Sequence, residues 1–337
     1  MNQQIVLRRH PVGAIREDDF ALAQGKVPVP GAGQFVTRNL FLSMDAGFRQ
    51  WMSEGAGDNY LPGMRLGEPV QSMVLGRVSA SAHPDFPVGC IVSARSAWEE
   101  YSLIDGSDLC TRLEVDPRIA LREYVAALGP TGLTAHIGMR QFARPRPGDV
   151  LVVSAAAGAV GSVAGQIGRI SGCRTIGLTS TERKARWLVE ELGFDRAISR
   201  EREPDLAQAL AQAAPGGIDV FFDNVGGAVL DTVLPQLREH ARIVLCGAVA
   251  QYESATPAPV YNTWHLVTKR ATASGFMFSD FADEFPAAIA QLSDWLLGGE
   301  LTSACQVYRG IASAPQAFCD MMHGLALGKC LVEMQAP

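Results

Sequence analysis

The chain is short of aromatic residues (7%) and carries a modest share of charged ones (19%). Its seven cysteines, Cys90, Cys110, Cys173, Cys246, Cys305, Cys319 and Cys330, are scattered and include no C-x-x-C pair. An odd, dispersed set gives neither a disulfide framework nor a zinc-ligand spacing, so small buried hydrophobes are the reading. Long apolar runs are missing too. The longest, Val150 to Gly161, is Gly/Ala-rich and falls well below the ~20 residues a membrane helix needs. The opening MNQQIVLRRH lacks an apolar stretch of signal-peptide length, so a cytoplasmic protein without membrane association is expected. Positive charge is in deficit: 29 Lys+Arg against 35 Asp+Glu leave a formal net charge of −6. That argues against a phosphate-backbone binder, and so against a nucleic-acid partner, but not against a local basic pocket for a small anion.

What is present is a globular composition, with 47% hydrophobic residues in 337. A single core rarely grows past about 250–300 residues, so two domains are expected. Up to about Leu121 the chain reads as short strands and turns. Strand-like runs stand at Phe35–Leu42, Ser72–Ser81 and Cys90–Ala94, with a turn cluster at Val27–Gly33. Beyond Leu121, strands alternate with helices, the signature of βαβ units and a parallel sheet. The strands expected there are Val150–Val153, Thr175–Thr179, Arg196–Ser199, Ile218–Phe222 and Ala241–Cys246. The helices are Gly161–Ile170, Glu182–Leu192, Asp205–Ala214, Ala228–Leu237 and Phe285–Leu297. The class is therefore α/β: a β-rich domain over 1–128, a parallel-sheet domain over 129–302, and a tail, 303–337, that rejoins the first.

Strand Val150–Val153 runs into Ser154-Ala-Ala-Ala-Gly158-Ala-Val-Gly161 and then a helix. This is the dinucleotide fingerprint GxGxxG with Ala156 in the first glycine place. Gly158 would let the backbone approach a pyrophosphate, and Gly161 would let the helix pack on the strand. The N–H groups at the helix start, Ala159 and Val160 included, would face the phosphates. An NAD site wants an acid at the end of the second strand. Thr179 and Ser180 stand there instead, followed by Arg183, Lys184, Arg186 and Arg200. Ser180, Lys184 and Arg200 could bind a 2′-phosphate that a carboxylate would repel, which favours NADPH. The alternative for this basic run is a solvated helix face.

Several further runs follow one another along nearly the whole chain: Leu42–Asp45 with Arg49, Gly132–Ala135, Ala155–Ser162, Glu190–Asp195, Phe222–Gly227, Cys246–Ala248 with Tyr252, and Leu327–Lys329. In this order they resemble the zinc-independent medium-chain dehydrogenase/reductase family of leukotriene B4 12-hydroxydehydrogenase, prostaglandin reductases and NADP-dependent double-bond reductases. The resemblance implies a GroES-like β-rich catalytic domain interrupted by a Rossmann domain with a doubly wound parallel sheet. It implies an active site in the cleft between them, often in a homodimer, and NADPH-dependent reduction of a carbon–carbon double bond conjugated to a carbonyl. It matches Lys184 to the 2′-phosphate lysine and Asn224 to a residue near the nicotinamide ribose. Cys246 and Gly247 join the cofactor set, with Phe276, Met277 and Phe278 as the stretch whose backbone meets the carboxamide. Tyr252 matches the tyrosine that meets the substrate carbonyl, and is the expected catalytic residue. Asp45, Arg49, Thr131 and His136 fall on the substrate side.

There are departures from the family pattern. Ala46-Gly47-Phe48 removes bulk beside the substrate, His136 stands where a tyrosine is usual, and Ala326 replaces an asparagine. Bland readings stand beside the functional ones. His136 and His265 are read as packing residues, and Asp45 with Arg49, at i,i+4, as a structural ion pair. Zinc catalysis would need Cys and His ligands, and Gly67-Glu68 has no His before the Glu. Besides the alkenal or enone reductase, two readings stay open: a quinone oxidoreductase of the same superfamily, and a cofactor-binding sensor or scaffold without turnover.

Overall fold

The computed structural model describes every residue except Ala255, Pro257 and 335–337. The chain divides into two compact units, one formed by Met1–Val125 with Cys305–Pro337 and the other by Ala126–Ala304. Among the described residues no helix is long and apolar enough to cross a membrane.

The first unit opens with β1 (Asn2–Leu7) and β2 (Phe20–Gly25), an antiparallel pair. β3 (Phe35–Ser43), β4 (Gln71–Ser81), β5 (Ile91–Ala97), β6 (Tyr101–Ile104) and β7 (Cys110–Leu113) follow. Between β3 and β4 a 3-10 helix, Ala46–Met52, carries Phe48, Trp51 and Met52 into the core.

The second unit begins with α1 (Pro130–Ile137), which starts on a proline that needs no N–H partner there and runs on into a π-turn. Then come β8 (Val150–Val153), α2 (Ala159–Ile170), β9 (Arg174–Thr179), α3 (Glu182–Glu190), β10 (Arg196–Ser199), α4 (Leu206–Ala213) and β11 (Ile218–Asp223). α5 (Gly227–Val233), β12 (Leu237–Leu245), α6 (Trp264–Thr268), β13 (Thr272–Gly275) and α7 (Phe285–Gly298) complete it. All six strands are parallel, in the order β10-β9-β8-β11-β12-β13. Counted within the unit this is 3-2-1-4-5-6, the doubly wound Rossmann order, and the winding reverses between β8 and β11. All four β8 residues are buried, as a strand covered on both faces requires.

Two boundaries differ most from expectation. The helix expected over Ala228–Leu237 stops at Val233, because Pro235 in the 3-10 turn Leu234–Gln236 cannot donate to a continuing helix. β12 accordingly starts at Leu237 rather than Ala241. β13 was not expected at all: its Thr-Ala-Ser-Gly sequence carries no apolar pattern, since it is the exposed edge of the sheet.

The chain then returns to the first unit as β14 (Cys305–Arg309), α8 (Ala314–Met322) and β15 (Lys329–Glu333). The larger sheet there runs β14-β15-β3-β4-β5-β7, with β6 pairing β3. Leu331, Val332 and Glu333 of β15 lie opposite Ser43, Leu42 and Phe41 of β3. Phe318 of α8 packs edge-on against Trp98 and Phe20 in the core beneath.

Candidate functional site

The carboxyl ends of β8 and β11 lie side by side where the winding reverses, the place where doubly wound sheets bind ligands. After β8 the chain turns sharply through Ala155, at φ +45°, and the Gly158 carbonyl accepts the first i→i−4 bond of α2, from the Ser162 N–H, at 3.0 Å. Gly158 offers no side-chain cap, so the opening N–H groups of α2, from Ala159, Val160 and Gly161, have no intrahelical acceptor. Ala156 is fully buried and donates its N–H to the Leu178 carbonyl at 3.0 Å. Gly161 is obligatory: a Cβ there would stand 2.5 Å from the Ala155 carbonyl oxygen and 2.8 Å from the Ala156 Cα.

The start of α3 is different, because it is already filled. Thr181 accepts the Lys184 N–H, and the Glu201 carboxylate accepts the Glu182 N–H at 2.9 Å. Thr179 and Ser180, at the end of β9, are half-buried. Arg200 is joined to this corner by its N–H, which bonds the Thr179 carbonyl at 3.0 Å, while its side chain is exposed. Lys184 is only 8% exposed, and among the described residues no carboxylate pairs with it. Burial, and the neighbouring Arg183, hold its ammonium below the ordinary lysine pKa. A buried cation without a counter-ion is costly unless an anion arrives to meet it. The sequence offered three basic residues on this helix. The structure buries Lys184 and leaves Arg183 and Arg186 outside.

Beyond β11, the Asn224 side chain donates to the Ser154 carbonyl at 2.7 Å. Cys246 and Gly247, beyond β12, donate their N–H groups to the Asp223 carbonyl at 2.8 and 3.1 Å. The Cys246 thiol is pushed up to about 12 by burial and by Asp223, so it stays protonated. Tyr252 folds back over this corner, its hydroxyl accepting the Ala248 N–H at 3.1 Å. The same hydroxyl crowds Gly247, where a Cβ would sit 3.2 Å from it and 3.2 Å from the Asn224 carbonyl oxygen. Burial raises the phenol above its usual pKa. Its proton has no acceptor among the described residues. The structure therefore gathers the α2 turn, Asn224, Cys246, Gly247 and Tyr252 along the carboxyl edge of the sheet, with Thr179, Ser180, Lys184 and Arg200 at the end of β9.

Phe276, Met277 and Phe278 follow β13 on the same edge. Phe276 stacks on Phe142 at 5.0 Å between ring centres and Phe278 on Phe285 at 5.6 Å, while Met277 projects outward. Thr131 lies in the first turn of α1, its hydroxyl 3.4 Å from the Ala126 carbonyl. His136 is turned elsewhere, between α1 and α7. Its Nε2 bonds Gln291 Oε1 at 2.7 Å, its ring lies 6.2 Å from Trp295, and its buried Nδ1 has no partner. Burial holds the ring below the ordinary histidine pKa.

In the first unit, Asp45 and Arg49 do not form the ion pair that their spacing suggested. Asp45 bonds Lys329 Nζ at 2.5 Å and the Ser43 hydroxyl at 2.6 Å. Arg49, buried, donates to the Ser53 hydroxyl at 2.9 Å and the Gly13 carbonyl at 2.8 Å. Lys329 was missed from sequence as Asp45's partner, as was Asp223 as the centre of the β8–β11 corner. A charged residue directly after the apolar run Val220–Phe222 was the available signal for Asp223.

The arrangement suits a phosphorylated dinucleotide: an uncapped helix start, a buried ammonium without a counter-ion, and a protonated phenol with a proton to give. Among the described residues no three His, Cys, Asp or Glu side chains are gathered as a metal site needs. Family profiles described as "N-terminal domain of oxidoreductase" and "Zinc-binding dehydrogenase" match residues 3–111 and 159–294. A 2-alkenal reductase (NADP(+)-dependent) of Nicotiana tabacum is 33% identical over 98% of this chain and 97% of its own. The NADPH-dependent curcumin reductase of Escherichia coli is 33% identical over 99% and 97%. The crystal structure of CurA in complex with NADPH from Vibrio vulnificus superposes with a TM-score of 0.91 at 34% identity, covering 99% of this chain and all of that one. With its two-unit α/β architecture, its Rossmann strand order and these full-length relatives, the chain belongs to the zinc-independent medium-chain dehydrogenase/reductase family of NADP-dependent oxidoreductases.

Proposed function

We propose that the protein binds NADPH and reduces the carbon–carbon double bond of an α,β-unsaturated aldehyde or ketone. The observation that carries this reading is Tyr252, a half-buried phenol kept protonated, its oxygen fixed by the Ala248 N–H and its proton without an acceptor among the described residues. When bound, NADPH supplies the hydride that reaches the substrate's β-carbon. Negative charge then develops on the carbonyl oxygen, and the Tyr252 hydroxyl donates a hydrogen bond to it. A donor of this kind lowers the barrier by about 3–4 kcal/mol. Water or Tyr252 delivers the proton to the α-carbon. Lys184, with Ser180 and Arg200, holds the 2′-phosphate; the N–H groups at the start of α2 hold the pyrophosphate; Asn224, Gly247 and the Phe276–Phe278 backbone hold the nicotinamide end. Asp45, Arg49, Thr131 and His136, each held by its own neighbours, take no part in the reacting step. No step needs a metal.

The protein also pairs with a second copy of itself, in this reading. β13 is an edge strand with Thr272, Ala273 and Gly275 exposed, and Trp264 and Val267 of the adjoining α6 are exposed too, at 69% and 61%. An open edge beside exposed apolar side chains is a surface that a matching edge would cover.

The test is NADPH oxidation with a 2-alkenal, an aryl enone, a 15-keto-prostaglandin-like enone and a quinone, with NADH as control. Enone turnover with NADPH, yielding the saturated carbonyl, supports the proposal. Turnover of the quinone alone replaces it with a quinone oxidoreductase, and binding without any turnover leaves a cofactor sensor.

A further inference from the structure

Asp223 has no task in the chemistry above, yet it is wholly buried at the end of β11. Its carboxylate accepts the Ser154 hydroxyl at 2.7 Å, the Val225 N–H at 3.0 Å and the Gly226 N–H at 3.1 Å. Ser154 is wholly buried too, and its oxygen in turn accepts the Asn224 N–H at 2.8 Å. The main chain around the pair receives the next loop. The Asp223 carbonyl takes the N–H groups of Cys246 and Gly247, and the Asn224 carbonyl takes that of Val249 at 3.2 Å. Two side chains thus join the loops after β8 and β11, and the main chain beside them takes up the loop after β12.

Every group that meets the carboxylate donates to it. The Ser154, Val225 and Gly226 donors all reach Oδ1, and Oδ2 receives the Gly226 N–H alone, at 3.1 Å; an amide of the same shape would turn its NH2 toward that N–H, so the site favours an acceptor-only side chain. No cation pairs with Asp223 among the described residues. The titratable groups facing it are the Cys246 thiol and the Tyr252 phenol, both neutral, so hydrogen bonds alone oppose the cost of burial, which still raises the carboxyl above its usual pKa. Lys184 and Arg200 lie outside this network, at the end of β9 on the other side of β8.

We propose that Asp223 and Ser154 are a positioning pair for the nicotinamide half of the cofactor, setting Asn224 and the Gly247–Tyr252 loop while leaving the adenosine 2′-phosphate end untouched. The proposal rests on the NADPH reading above. It predicts a split that a general structural role would not produce.

Adenosine 2′,5′-bisphosphate and NADPH are each titrated against the parent protein, Asp223→Asn and Ser154→Ala, with melting curves alongside. In both variants the bisphosphate is expected to bind within about twofold of the parent. NADPH is expected to weaken roughly tenfold in Asp223→Asn and less in Ser154→Ala, the scale of a buried donor left without its acceptor. If Asp223→Asn does not fold, Ser154→Ala carries the same comparison. Equal weakening of both ligands, or of neither, overturns the proposal while leaving the NADPH reading intact. A parent protein that binds neither ligand overturns both.

Discussion

Replacing Lys184 by methionine should move two properties in opposite directions. Lys184 is 8% exposed, and burial lowers its pKa from 10.5. Methionine keeps most of the stem and removes the uncompensated charge, so the cofactor-free protein should gain on the order of 1 kcal/mol. The sign of the pH dependence follows from the same shift. Between the lowered native value and the ordinary 10.5, the unfolded chain binds the extra proton, so stability rises with pH across that window. Lys184→Met abolishes that slope. Affinity goes the other way: a charge-assisted bond to a phosphate contributes about 1.5–3 kcal/mol, so NADPH should bind about 10- to 150-fold more weakly. NADH, without a 2′-phosphate, should change by no more than about threefold. Melting curves without cofactor and fluorescence titrations with both cofactors measure these effects. A less stable variant, or equal loss of NADPH and NADH, would refute the argument that this lysine waits for an anion.

Tyr252→Phe should lower kcat for enones by about 100-fold or more with NADPH affinity nearly unchanged, checked by single-turnover kinetics. His136→Gln should remove an acid-labile component of stability. Because the native pKa lies below 6.5, the unfolded chain binds the extra proton, and stability falls as pH drops through about 6.5; the glutamine variant should flatten the melting-temperature profile between about pH 5 and 8. Asp45→Ala should destabilise by about 3–5 kcal/mol in urea unfolding, since it strands the Lys329 ammonium, 2% exposed, and adding Lys329→Met should return most of the loss.

The Rossmann core was legible because its strands are buried on both faces and read as apolar blocks. β8 falls on the expected residues, and α2 starts two residues before the expected Gly161. β13 was not legible, because an edge strand needs no apolar residues. Lys184 could be picked out among its basic neighbours by phase alone, for it shares a face of α3 with Leu188, which is buried. Tyr252 carried no local signal and depended on the family pattern. The Asp45–Lys329 pair joins residues far apart in sequence, which spacing rules for one helix do not reach.

The order of the strands along the chain bears on how the protein is made. The second unit is continuous, so a ribosome releases all of Ala126–Ala304 before β14 and β15 exist. Until β15 is synthesised, β6 covers Phe35–Arg38 along one edge of β3 but Phe41–Ser43 on that edge have no partner, and Asp45 lacks the lysine that meets it. The nascent first unit therefore waits through the synthesis of an entire domain with a strand edge open, the interval in which a growing chain is most exposed to mispairing. Premature termination anywhere after residue 304 but before β15 would yield a complete Rossmann unit attached to an unfinished sheet, a species that chaperones and proteases would meet as unfolded on one side only.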